Sequence, residues 1–168
     1  MPELRRREKR GAWKWSLVLA REARPCFARL VMQPLVVAAA SVNQTPLDWD
    51  GNEANLRAAL ARARAGGAQL VCFPELCISG YGAEDAFSWP HTLEQSLGVL
   101  ERLLPDTLGL VVALGLPLAL GERVFNTVAL VVDGVVVGVV AKRHLAGSGL
   151  HYEPRGGTAG PRGSTSVV

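Results

Sequence analysis

From position 35 onward, short continuous apolar runs alternate with segments whose apolar residues recur every three or four positions, the pattern of strands alternating with helices. Leu35–Val42 is apolar and rich in branched side chains, which suits a buried strand. Asn43–Trp49 reads as a loop. Asp50 and Glu53 then form a capping-box-like pair, and Leu56, Ala59, Leu60 and Ala63 share one helical face. Gly66-Gly67 ends that helix, and Ala68–Phe73 is a second apolar strand. Residues 35–73 thus have the length of a strand–helix–strand unit with parallel strands and a right-handed crossover. Helical spacing returns over Thr92–Leu104, through Leu93, Leu97, Leu100 and Leu104, and Pro105 marks its end. Leu108–Leu116 supplies a third strand.

The pattern then changes. Val124–Val132 and Val135–Val140 flank Asp133-Gly134, a dipeptide that accepts positive φ at both positions of a two-residue turn, so a β-hairpin is predicted. One reversal of direction leaves its second arm parallel to the first three strands. The carboxyl ends of the second strand and of that arm then share one sheet edge, where open α/β sheets gather their sites. Glu75 stands just past the first of these ends and Lys142 just past the other, 67 positions later. Their charged groups are expected within salt-bridge reach or one water apart.

Composition narrows the class. A chain of 168 residues with 49% apolar residues is ample for one packed domain. The net charge of +3 is unevenly placed: residues 1–34 hold nine Lys/Arg against three Asp/Glu, which leaves nine against twelve for the remainder. The basic stretch 1–31 lacks any sustained period and reads as an appendage, with Met32 the expected natural start of the patterned domain. Clustered Arg without a binding fold gives no nucleic-acid footprint. The apolar stretches Leu108–Leu120 and Val124–Val140 are broken by Gly115-Leu116-Pro117 and Asp133-Gly134, so no membrane span is expected. Lys14 and Arg21-Glu22 interrupt the only signal-like segment, and the cytoplasm is the expected location. Cys26, Cys72 and Cys77 form neither a disulfide framework nor a metal-type repeat. Cys72, inside a strand, reads as a small buried hydrophobe. Cys77, two residues past Glu75, reads as a packing residue with a functional role as the alternative. The three His, at 91, 144 and 151, have no spacing that argues a metal site.

A Glu beside a Lys is most often a structural ion pair. The motifs around them change that reading. Val42-Asn43-Gln44-Thr45 with Asp48 and Gly51-Asn52, Phe73-Pro74-Glu75-Leu76, Ser79-Gly80-Tyr81, Glu84-Asp85, Phe125-Asn126-Thr127 and Lys142-Arg143-His144-Leu145 together resemble the nitrilase, or carbon–nitrogen hydrolase, superfamily. Within it they are most similar to the glutaminase domain of glutamine-dependent NAD+ synthetases, over residues 33–155. The resemblance implies an α/β fold, the amino-terminal part of a nitrilase-like α-β-β-α sandwich, spanning residues 32–155. It implies hydrolysis of the glutamine side-chain amide through a Cys thioester, with Glu75 as the base and Lys142 stabilising the oxyanion. Glu153, in Tyr152-Glu153-Pro154-Arg155, matches the additional Glu that orients the Lys. Tyr81 is placed to line the glutamine pocket, with a packed tyrosine as the equal alternative.

The same resemblance implies no cofactor for the glutaminase step, ATP belonging to a synthetase domain, and homo-oligomers in the full-length family. The family's nucleophilic Cys has no counterpart here: Gly156–Val168, a Gly/Ser/Thr/Pro stretch expected to be disordered, contains none. A truncated or frameshifted, inactive product is the expectation. A stand-alone nitrilase-type amidase and a non-catalytic α/β assembly module are the other readings.

Overall fold

A computed structural model of the chain describes residues 34–146 and 157–160. The elements are β1 (Val37–Ala39), α1 (Trp49–Ala65), β2 (Leu70–Cys72), α2 (Pro90–Leu103), β3 (Val111–Leu120), β4 (Arg123–Val132) and β5 (Val135–Ala141), with 3₁₀ segments at Tyr81–Ser88 and Leu104–Thr107. The five strands form one sheet in the order β1-β2-β3-β4-β5. β1, β2 and β3 are mutually parallel, while β3–β4 and β4–β5 are antiparallel, so β5 runs with the first three as the hairpin argument requires. The turn between β4 and β5 has φ of 50° at Asp133 and 81° at Gly134, both positive as the dipeptide predicts.

One sheet face carries the core. Leu56 and Leu60 of α1 and Val99, Leu100 and Leu103 of α2 pack on Val71, Val112, Leu114, Leu116, Ala129 and Val131. Successive strand residues point to opposite faces. The register therefore puts Val37, Val128, Leu130 and Val140 on the second face, where they stay exposed. Among the described residues this is one helix layer on one sheet. Glu53 ties the helices together: its carboxylate accepts from Arg57 at 2.7 Å and from Arg102 at 2.8 Å, and Arg57 also pairs with Asp106. Burial pushes the Glu53 carboxyl up, but the hydrogen bonds and positive charges of the two arginines together outweigh it and hold the group below its ordinary value.

Several expectations are corrected. α1 is capped by Asp48, whose Oδ1 accepts from Gly51 N–H at 3.1 Å, and not by Asp50. Glu53 faces the arginines and so cannot close a capping box. The buried face of α2 is Thr92, Ser96, Val99, Leu100 and Leu103, while Leu97 is 43% exposed. There the small polar Thr92 and Ser96 sit inside, Ser96 satisfying its hydroxyl on the Thr92 carbonyl at 2.7 Å. β1 and β2 shrink to three residues each, the length of their shared ladder. β3 instead runs on through Pro117 to Leu120, making with β4 a second hairpin that the sequence pattern had not indicated. Val111, Ala113 and Gly115 turn their backbone groups toward β2 and the loop after it. Pro117 continues that alternation beyond the end of β2, so its missing N–H costs no ladder bond.

Cys72 is exposed rather than buried, because it alternates with Val71 onto the uncovered face. Within 156–168, residues 157–160 are held: Thr158 N–H donates to the Val124 carbonyl at 2.7 Å and Gly160 N–H to the Lys142 carbonyl at 2.8 Å. Residues 1–33, including Cys26 and Met32, lie outside the described residues.

Candidate active site

Glu75 begins a turn that leaves β2 and crosses β3. The crossing is close. A Cβ on Gly115 would lie 2.4 Å from Leu76 N and 2.8 Å from the Pro74 carbonyl oxygen, both backbone atoms, so only glycine fits. Leu76, the residue after Glu75, has φ of 51°, a left-handed conformation that costs a non-glycine residue about 1 kcal/mol or more. Its buried side chain and those of Cys77, Ile78 and Ser79 anchor the turn. Ile78 N–H donates to the Gly115 carbonyl at 3.1 Å.

From the other side, the amides of Gln44 and Asn52 donate to the carbonyls of Cys77 at 2.6 Å and Ile78 at 3.2 Å. Asn52 also closes on both backbone groups of Thr45. The Gln44-Thr45 and Gly51-Asn52 motifs therefore hold up the turn that presents Glu75. Their role was not legible from spacing, although a polar Asn on an apolar helical face is the signal that marks it.

Lys142 follows the last residue of β5. Its N–H donates to the Asn126 carbonyl at 2.8 Å, and its carbonyl receives Gly160 N–H. A Cβ on Gly160 would lie 2.8 Å from the Ala141 carbonyl oxygen, so this contact too is reserved for glycine.

The two ends meet. Lys142 Nζ donates to Glu75 Oε1 at 2.7 Å, as the sheet-edge argument expects, with the side chains 30% and 37% exposed. Asn126 Nδ2 donates to the same oxygen. At this exposure the pair adds under about 1 kcal/mol to stability, so the fold depends little on it. Tyr81 opens the 3₁₀ segment six residues past Glu75, with 37% exposure. Glu153 and His151 lie outside the described residues.

Cys77 behaves as packing. Burial pushes its thiol up to about 12, and Sγ lies 3.6 Å from the Gly115 carbonyl, to which the protonated thiol donates. Such a thiol is protonated at neutral pH and sealed from substrate. Among the described residues no group of His, Cys, Asp and Glu could hold a metal ion, and no helix is long and apolar enough to cross a membrane.

The model of the carbon–nitrogen hydrolase family matches residues 36–163. This chain belongs to that family. It is 32% identical over 130 residues to the glutamine-dependent NAD(+) synthetase of Arabidopsis thaliana, covering 76% of this chain and 18% of the relative. The crystal structure of a glutamine-dependent NAD(+) synthetase from Cytophaga hutchinsonii superposes with a TM-score of 0.77 at 39% identity, over 79% of this chain and 23% of that one. An amidase from Nesterenkonia sp. superposes with a TM-score of 0.68 at 27% identity, over 76% of this chain and 49% of the amidase. The chain thus spans about a fifth of the synthetases' length and half of the amidase's, and its sheet with one helix layer is part of a nitrilase-type domain.

Proposed function

We propose that Glu75 and Lys142 are the proton-transfer and oxyanion-stabilising members of a site for hydrolysis of the glutamine side-chain amide, the ammonia-supplying step of a glutamine-dependent NAD+ synthetase. The observation that carries this is the 2.7 Å contact between the two charged groups at the carboxyl ends of β2 and β5, on one edge of the sheet. The likeness to synthetases from a plant and a bacterium supports the substrate. Glu75 takes a thiol proton, and the thiolate adds to the amide carbon. Lys142 offsets the charge that develops on the amide oxygen. Glu75 then returns the proton to the departing nitrogen, ammonia leaves, and water hydrolyses the thioester. No cofactor enters this step. Glu153 is proposed to orient Lys142, and Tyr81 to line the glutamine pocket.

The thiol is what this chain does not provide among its described residues. Cys77 is buried and protonated, and Cys72 points to the uncovered sheet face. We therefore expect glutamine binding without turnover by the 168-residue chain. A second reading, a nitrilase-type amidase acting on simple amides, is favoured by the larger share of the Nesterenkonia enzyme that is matched.

Calorimetric titration with glutamine and with propionamide separates the two readings. The proposal expects glutamine to bind and propionamide not to, with Glu75→Gln and Lys142→Met each weakening binding at least about tenfold. Ammonia release from glutamine should stay at background. Equal binding of propionamide would replace the glutaminase reading by the amidase one, and no binding of either would sink both. Ammonia release abolished by Cys77→Ala would identify Cys77 as a nucleophile after all.

A further inference from the structure

We infer that Asn126 is a positioning residue for Glu75, fixing which of its two carboxylate oxygens carries the proton. The inference rests on the reading of Glu75 as the proton carrier. Asn126 touches both members of the pair: its side-chain amide donates to Glu75 Oε1, and its backbone carbonyl accepts from the N–H of Lys142. Lys142 Nζ donates to that same Oε1 at 2.7 Å. Two donors on one oxygen draw the negative charge toward it and set the plane of the carboxylate. Oε2 is then the oxygen left to receive and return a proton, with one orientation instead of two.

The residue type suits this task. Asn126 stands in β4 between Phe125 and Thr127, at the register position opposite Pro117. A neutral amide donates without adding charge, whereas a carboxylate there would repel Glu75 and a second cation would compete with Lys142. A strand is also a rigid mount, and the bond from Lys142 N–H to the Asn126 carbonyl sets the two donors in fixed register. Asn126 is thus a second reach from the hairpin to a carboxylate that arrives from a separate loop.

Carbon-13 labelled glutamate in the full chain reads the effect without any ligand, with Glu75→Gln assigning the signals. In the native chain the two β-methylene protons of Glu75 should be inequivalent, as in a fixed rotamer. Asn126→Ala should collapse that inequivalence while leaving the melting temperature nearly unchanged. In Asn126→Asp the inequivalence should be lost at neutral pH and return on acidification, when one proton sits between the two carboxyl groups. A purely structural role would not produce that pH response. Unchanged Glu75 signals in Asn126→Ala would overturn the inference, as would a pH-independent Asn126→Asp. If the signals respond as expected while glutamine binds to neither native chain nor variant, the positioning stands and the glutaminase reading falls.

Discussion

Glu75 and Lys142 reach the same point by opposite means. The Lys142 arm is built of ladders: two hairpins with two-residue turns, antiparallel pairing interrupted by one bulge opposite Leu130 and Val131, and a lysine one residue past the last rung. The Glu75 arm is irregular, a turn with Leu76 at positive φ pressed against the one glycine of β3 and held from behind by Gln44 and Asn52. In the first arm, placement is spread over many equivalent backbone bonds. In the second it depends on a few residues with no substitute. A carboxylate in the proposed role of base needs its orientation more tightly set than an ammonium, whose three donors can rotate to suit. The irregular arm carries the residue with the stricter demand.

Substitutions can break this contrast. Gly115→Ala should have the largest effect, because the new methyl meets backbone on the facing loop; a loss of about 3 kcal/mol in urea unfolding is expected, together with loss of glutamine binding. Gly134→Ala should cost about 1 kcal/mol, the strain of an L-residue at positive φ, since its nearest neighbour is the yielding tip of Leu108. Glutamine binding should survive it, as the ladder keeps Lys142 in register. Equal losses in the two variants, in stability or in binding, would abolish the distinction between the arms.

Glu53→Gln serves as a control outside both arms, and its effect should be the smallest, under about 1 kcal/mol, since both arginines are half-exposed. The Glu53 carboxyl is held below its ordinary value in the fold, so its contribution is present above the unfolded value of about 4.3 and fades as pH falls through the lower, folded one. Unfolding curves of native chain and variant should therefore differ at neutral pH and converge in acid. A difference that persists in acid would mean that Glu53 acts by packing and not by charge.

The laddered arm is also the part that could be read from sequence. Valine-rich apolar runs on either side of Asp133-Gly134 announce the hairpin, and direction-counting alone brings Lys142 to the edge where Glu75 stands. Strand ends are harder to read. β3 continues through Pro117 because β2 stops short of it, a fact of pairing that no local pattern contains. The buried face of α2 passes through Thr92 and Ser96 instead of Leu97 because the hydroxyl of Ser96 can bond within its own helix. Cys72 was misjudged because an apolar run suggests burial on both faces, and here one face has no cover among the described residues. Asn126 stood in a recognised motif, yet what it touches depends on a loop 51 positions away.

The plain sequential order of the sheet also sets a timetable for assembly. β3, β4 and β5 are joined by two-residue turns, and such hairpins close in roughly 1–10 μs once their residues are available. β1 and β2 must wait for α1 to span between them, a slower, non-local step. The turn that bears Glu75 has nothing to rest on until β3 presents Gly115, and its carboxylate meets Asn126 and Lys142 only when the later strands are in place. The acidic group comes first in the chain, yet its contact requires strands that come later, so the charged pair exists only when the sheet is complete and a probe of that contact reports on the whole sheet.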